Sequence, residues 1–106
     1  MNNYQKAATR TIKKDLSTGH LIQEAALGMT AEAGEVANHI RKICYQGHSL
    51  DSKYIIKELG DVLWYIAEMC TALNISLEEV ATTNIDKLKK RYPNGFRVED
   101  SINRKE

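Results

Sequence analysis

The sequence of 106 residues is short of the features that mark secreted, membrane-spanning or sheet-rich proteins. It has one proline and two cysteines, and its apolar runs are only a few residues long. A membrane-spanning helix needs about 20 consecutive apolar residues, and a secretory leader needs a basic start followed by an apolar stretch. The chain opens with neither, so we expect a cytoplasmic protein with no membrane partner. Strand-like alternation of useful length is also missing, which favours an all-α fold.

The charge balance and the cysteines further limit the partners and the kinds of site that we expect for this protein. Fifteen basic and 14 acidic residues leave a formal net charge of +1, which argues against a nucleic-acid partner held by overall charge. Cys44 and Cys70 form no CxxC motif and occupy apolar positions of separate segments. We expect both to be reduced thiols in the core. A chain of this size holds one core, so we assign residues 1–96 to a single helical domain and 97–106 to a polar tail.

Apolar spacing predicts a bundle of four to five helices. The clearest segments are residues 2–16, 20–46, 51–73 and 76–92. The second and third carry continuous apolar stripes, and the short loop between them predicts that they pack antiparallel. Trp64 points away from the stripe of its helix. Such a large side chain is either an exposed oddity or part of a second buried face, and we favour a subunit interface.

Two pairs of carboxylates stand at the same place relative to these stripes. Glu32 and Glu35 lie on the second helix, and Glu58 and Asp61 lie on the third. Residues three apart share a helix face, and each pair falls about 80° and 140° from the centre of its apolar stripe. In an antiparallel hairpin both pairs can therefore converge on one groove. All-oxygen ligands of this kind suit Mg²⁺, with Mn²⁺ as a possible substitute.

Each motif also has a less specific explanation. A single ExxE pair is common and usually only a solvated helix face, but two pairs with the same offset are much less expected by chance. A di-iron site normally needs ExxH motifs, which this chain lacks. His39 lies one turn beyond Glu35 and could touch the pocket, although a polar residue at the helix border is the simpler interpretation.

A third cluster lies on the fourth helix. Asn84, Lys87 and Arg91 are spaced three and then four residues apart, which places an amide and two cations on one face. Without the acidic motifs this would be a solvated basic face. Beside a metal pocket, the same side chains indicate a polyphosphate ligand, because both the cations and the metal neutralise phosphoryl oxygens.

The combination of these motifs resembles a known family. The stretches EAGE (residues 32–35), ELGDVLWYIAE (58–68) and NIDKLKKRYPNGF (84–96) are similar to those of the MazG-type, all-α nucleoside triphosphate pyrophosphohydrolases. The resemblance covers roughly residues 20–96. Many relatives carry a further glutamate where this chain has Ala31, which leaves the number of bound metal ions open. The second domain of the longer MazG proteins is missing, which implies a stand-alone unit.

The resemblance implies a function and a set of site residues. It implies hydrolysis of a nucleoside triphosphate to the monophosphate and pyrophosphate, in a homodimer or homotetramer whose active sites form where helices pack. Glu32, Glu35, Glu58 and Asp61 would be the metal ligands. Glu35, or second Glu32, would accept the proton of the attacking water. The phosphates of the substrate would contact Asn84, Lys87 and Arg91. Its base would lie beside Tyr65.

Two alternatives to a general pyrophosphohydrolase remain open at this point. One is a non-catalytic helical protein that senses nucleotides or binds a partner and keeps the metal pocket without turnover. The other is a narrower relative, such as a phosphoribosyl-ATP pyrophosphohydrolase or a deoxyuridine nucleotide hydrolase. The same pocket chemistry would serve these relatives, so the base and sugar preference does not follow from the motifs.

Overall fold

The computed structural model describes residues 2–104 and shows helices without a strand in that range. Five α-helices follow one another in the described residues: α1 (Asn2–Ala8), α2 (Thr18–Tyr45), α3 (Ser52–Ala72), α4 (Leu77–Arg91) and α5 (Val98–Ile102). The predicted all-α class is confirmed, and the ends of α2, α3 and α4 lie within two residues of the predicted ones. None of the helices in the described range is long and apolar enough to cross a membrane.

The first helix is shorter than the spacing predicts. It gives way to a 3₁₀ turn over Thr9–Thr11 and does not reach Leu16. The Thr9 hydroxyl donates a hydrogen bond of 2.6 Å to the carbonyl oxygen of Gln5. β-Branched residues that bond back to the preceding turn weaken a helix. Ile12 then adopts an extended backbone, with φ −63° and ψ 138°, and ends the helical run.

Helices α2 and α3 form an antiparallel hairpin that contains most of the interhelical packing. Gly47, in the connection between them, has a φ of +73°, which glycine adopts without the steric cost of a side chain. The Asp51 carboxylate accepts the backbone N–H groups of Lys53 and Tyr54 and so caps the start of α3. Small side chains let the two helices approach closely, because Ala25 of α2 and Ala67 of α3 are fully buried.

The two cysteines differ in environment. Cys70 is buried, as predicted, whereas Cys44 is exposed, and both are free thiols. The prediction that Cys44 belongs to the core is wrong. Cys44 lies in the last turn of α2, and α3 is the only described helix against which α2 packs extensively.

The N-terminal segment covers the second face of α3. The Trp64 indole N–H donates to the carbonyl oxygen of Ala8 at 2.8 Å and to the hydroxyl of Thr11 at 3.1 Å. Trp64 is half-buried in this contact. The second buried face inferred for Trp64 therefore exists, but the chain's own N-terminal segment supplies it, and the expected subunit interface at this residue is not needed.

One glutamine fixes the start of α4. The Gln5 side chain accepts the backbone N–H of Leu77 at 2.8 Å and donates to the carbonyl oxygen of Ile75 at 3.1 Å. Ser76 caps the helix, because its hydroxyl accepts the backbone N–H of Glu79 at 3.0 Å. The first turn of α4 is thus held by hydrogen bonds from two directions.

The rest of α4 is poorly covered, and the molecule is elongated. The radius of gyration is 17.0 Å and the principal extents are 48 × 41 × 24 Å, whereas a compact chain of this length has a radius of about 13 Å. Large apolar side chains of α3, of the residue that follows it and of α4 are at least 39% exposed: Ile56, Leu59, Leu73, Val80, Ile85 and Leu88. A single chain therefore leaves much of its apolar surface without a partner.

The predicted polar tail contains a short helix. In α5 the carbonyl oxygen of Arg97 accepts the N–H groups of Asp100 and Ser101, both at 3.1 Å. The last two residues of the tail, 105 and 106, lie outside the described residues. The domain boundary at residue 96 stays a prediction.

Candidate active site

Three carboxylates meet beside the centre of the α2–α3 hairpin. Glu32 comes from α2, and Glu58 and Asp61 come from one face of α3. Each offers one oxygen to a group in which these atoms all lie within 4.8 Å of one another. We call these three residues the acidic cluster. The predicted convergence of the two acidic motifs occurs for these residues.

The acidic cluster carries more negative charge than its surroundings balance. The pKa of Glu32 is raised, first by a hydrogen bond to Glu58, then by burial and by the negative charges of Asp61, Glu58 and Glu35. The Oε2 atom of Glu58 is buried, and no donor of the described residues reaches it. A buried carboxylate oxygen without a partner is costly. The donor set therefore fits a divalent metal ion that prefers oxygen ligands.

Glu35 stands one turn further along α2 and is not a member of the acidic cluster. Its side chain is exposed and hydrogen-bonds to the hydroxyl of Tyr54. The pKa of Tyr54 is raised, first by burial and then by the charges of Glu58 and Glu35. Glu35 is therefore beside the cluster rather than in it, and its predicted roles as ligand and base stay predictions.

Tyr54 is a site neighbour that the sequence analysis missed. It precedes Glu58 by one helical turn, and this spacing of four could have revealed it. Its ring lies 4.7 Å from that of His39, centroid to centroid. The Nε2 atom of His39 accepts the backbone N–H of Asp51 at 3.2 Å. His39 thus supports the start of α3, which agrees with its interpretation as a helix-border residue.

Tyr65 lies one turn after Asp61, on the same face of α3. Its ring packs directly on the backbone of α2 at Gly28, where an added Cβ would overlap ring atoms. Trp64 meets the ring edge-on, with the centroids 5.0 Å apart. Tyr65 is therefore packed against α2 next to the acidic cluster, a position compatible with its predicted place beside a base.

The predicted phosphate-binding residues lie elsewhere in the single chain. Asn84 and Lys87 line an apolar groove of about 430 Å³ between α3 and α4, together with Leu63 and Ile66. At about 100° per residue, Leu63 is about 160° around α3 from Asp61. One chain therefore does not bring Asn84 and Lys87 to its own acidic cluster. Arg91 is half-buried in the last turn of α4.

The fold and the acidic cluster define a class: an all-helical protein in which facing helices offer carboxylates to a divalent metal. A comparison with known protein families identifies the same class. Residues 21–96 match the model of the MazG nucleotide pyrophosphohydrolase domain. The chain belongs to this family, and the predicted family is confirmed.

Among curated proteins, the chain is similar to the "Gene 37 protein" of Mycobacterium phage L5. The two are 34% identical over 73 residues, which cover 65% of this chain and 64% of the phage protein. The chain thus spans a little under two thirds of the length of that relative. No solved structure matches the chain at a significant level.

Proposed function

We propose that this protein hydrolyses (deoxy)nucleoside triphosphates to the monophosphate and pyrophosphate in a Mg²⁺-dependent reaction. The observation that carries the proposal is the acidic cluster with its buried, unpartnered Glu58 oxygen, located within the stretch that matches the family. Glu32, Glu58 and Asp61 would hold the metal, and Glu35 would join them from the adjacent turn. Mn²⁺ offers the same preference for oxygen ligands and is the expected substitute.

The bound metal would supply positive charge for the phosphate oxygens and lower the pKa of a coordinated water. The protein's part is to position and to move a proton. Glu35 is exposed next to the cluster and would accept the proton of the attacking water, with Glu32 as the second candidate. Tyr54 would hold the Glu35 carboxylate in place through its hydroxyl. Tyr65 would flank the base.

The proposal includes a homo-oligomer, either a dimer or a tetramer. Its support is the elongated chain with exposed apolar side chains on α3 and α4. Asn84 and Lys87 do not reach the acidic cluster of their own chain, so a second copy would have to present them there, with Arg91 from the same helix. These side chains would then bind the phosphate oxygens and stabilise the charge that develops on them.

A product assay tests this function. Purified protein with Mg²⁺ is incubated with all ribo- and deoxyribonucleoside triphosphates, dUTP and phosphoribosyl-ATP, and the products are separated. We expect monophosphate and pyrophosphate, and no product when the metal is chelated. Diphosphate and phosphate would indicate a different bond cleaved. Metal-dependent nucleotide binding without any product would support the non-catalytic sensing alternative.

A further inference from the structure

Two further carboxylates meet across the α2–α3 hairpin, about two helical turns from the acidic cluster. Glu24 precedes Glu32 by eight residues on α2, and Glu68 follows Asp61 by seven on α3. Because the helices are antiparallel, both offsets lead toward the same end of the hairpin. The carboxyl groups of Glu24 and Glu68 lie within hydrogen-bonding reach of each other. We call these two residues the second carboxylate pair.

Glu68 is the deeply buried member of this pair. Its side chain is fully buried, with 0% exposure, and no donor among the described residues reaches either of its oxygens. An ionised carboxylate that leaves water without a compensating partner is very costly in a protein interior. Glu68 therefore needs a positive charge or a proton beside it.

Lys13 supplies one positive charge, which it places on Glu24. Its Nζ atom donates to Glu24 Oε2 at 3.2 Å, and the Lys13 side chain is 66% exposed. One ammonium group balances only one of two carboxylates, so the pair keeps a negative charge when both are ionised. In agreement with this, burial and then the charge of Glu24 raise the pKa of Glu68 to about 7.

The second carboxylate pair is open to solvent through Glu24. The Glu24 side chain is 25% exposed, and it lines a groove of about 540 Å³ together with Lys13, Gly28 and Tyr65. Mg²⁺ is commonly held by one or two carboxylates and keeps several of its water molecules. The groove offers an entry path and room for such waters, so two carboxylates suffice as protein ligands.

The distance between the two carboxylate sites separates their roles. Seven to eight residues correspond to about 11 Å along a helix, whereas paired catalytic metal ions lie about 3.5–4 Å apart. An ion at the second carboxylate pair is therefore too far away to share a bridging oxygen with an ion at the acidic cluster. It would link α2 to α3 instead.

We infer that Glu24 and Glu68 bind a divalent cation that prefers oxygen ligands, at a site separate from the acidic cluster, and that this ion holds α2 and α3 together. Mg²⁺ and Mn²⁺ are the expected ions. Lys13 competes with the ion, because both are attracted to the Glu24 carboxylate. The inference does not depend on the hydrolysis of a nucleotide.

Counting the bound Mn²⁺ ions tests the inference. Mn²⁺ is titrated into each protein, and the free ion is measured by electron paramagnetic resonance. We expect Glu68→Gln to bind one Mn²⁺ fewer per chain than the wild-type protein. Glu78→Gln, which changes an exposed glutamate in the first turn of α4, should bind as many ions as the wild type. Equal numbers in Glu68→Gln and the wild type would overturn the inference.

Lys13→Ala probes the same site without changing a buried side chain. Loss of the ammonium group removes a repelling charge next to the ion, so Mn²⁺ should bind there about fivefold more tightly or better. Lys14→Ala is the matched control, since Lys14 is the exposed neighbour in the chain. If the pair binds only a proton, Mn²⁺ binding stays the same in Lys13→Ala, and this result would also overturn the inference.

Thermal unfolding in Mg²⁺ separates this site from the acidic cluster. Asp61→Asn removes a proposed ligand of the cluster and leaves Glu24 and Glu68 in place. Mg²⁺ should still raise the thermal midpoint of this variant, because the ion binds the folded hairpin. The rise should disappear when Glu68→Gln is added, and an equal rise in the double variant would overturn the inference. If the rise is found but no nucleotide is hydrolysed, the proposed function fails and the second site stands.

Discussion

The α2–α3 hairpin and helix α4 differ in how much of their structure a single chain completes. In the hairpin, capped helices pack along their length and bring Glu32, Glu58 and Asp61 together. Helix α4 is fixed at its first turn, and beyond it Val80, Ile85 and Leu88 are exposed. In the proposed site, the metal-binding half would therefore be assembled within one chain, whereas the phosphate-binding half would need another copy.

The largest expected effect comes from the acidic cluster. Asp61→Asn removes a proposed metal ligand and should lower kcat by about 100-fold or more. The same change relieves repulsion between like charges, so the thermal midpoint should stay equal or rise. Steady-state kinetics and thermal unfolding measure the two effects, with the exposed-site variant Glu99→Gln as the control. Activity near the wild-type level would remove Asp61 from the proposed site.

The next prediction tests whether α4 contributes to the active site of a neighbouring chain. Lys87→Ala should lower activity about tenfold or more through weaker phosphate binding. The Lys87→Ala variant is then mixed with the Asp61→Asn variant so that the subunits exchange. If α4 contributes to the site of the neighbouring chain, each mixed dimer contains one intact site. About a quarter of the wild-type activity should then return.

The complementation needs mixed oligomers, which two differently tagged variants reveal by co-purification. Ile85→Asp should convert the protein to a monomer in light-scattering measurements and remove activity, because it places a charge in the exposed apolar face of α4. The exposed Leu50, in the loop before α3, gives the control variant Leu50→Asp. Mixed oligomers that regain no activity would show that α4 serves its own chain.

A pH effect on stability tests the electrostatics of the hairpin. The pKa of Glu68 is about 7 in the folded protein, above its ordinary value of 4.5. The folded state therefore binds more protons between these values, and stability should fall as pH rises from about 4.5 to 7 and then level off. The loss is at most about 3 kcal/mol. Glu68→Gln should flatten this slope in urea unfolding at several pH values. An equal slope in both proteins would contradict the raised pKa of Glu68.

The smallest effect concerns the contact between α2 and Tyr65. Gly28→Ala places a Cβ in the Tyr65 ring and should cost about 2 kcal/mol of unfolding free energy, with a rise in KM as the ring moves. Gly34→Ala is the matched control in the same helix, since nothing lies within 4 Å of the added Cβ. It should stabilise α2 by up to about 1 kcal/mol. Equal behaviour of the two variants in urea unfolding would exclude the packing role of Gly28.

Much of the hairpin could be predicted from helical periodicity. The apolar stripes and the short loop set α2 and α3 antiparallel, and this geometry brings Glu32 toward Glu58 and Asp61. The pair of Glu24 and Glu68 could not be found in the same way. Each looks like an ordinary charged residue on a helix, and only the register between α2 and α3 shows that they meet.

The remaining errors concern contacts between distant segments. The partner of Trp64 is a backbone carbonyl in the N-terminal segment, 56 residues away, and no local pattern indicates such a pairing. The exposure of Cys44 depends on how far the neighbouring helices extend, which spacing does not show. The position of α4 depends on Gln5, whose amide gives no signal in the sequence.

Gln5 also bears on where this domain can be cut. It lies outside residues 21–96, the part that matches the family, yet its side chain holds the first turn of α4, which is inside that part. A fragment trimmed to the matched residues would lose this clamp and the cover over Trp64 together. The interhelical hydrogen bonds thus extend beyond the residues that match the family, and we expect a shortened version of this protein to need Gln5 and the segment that covers Trp64.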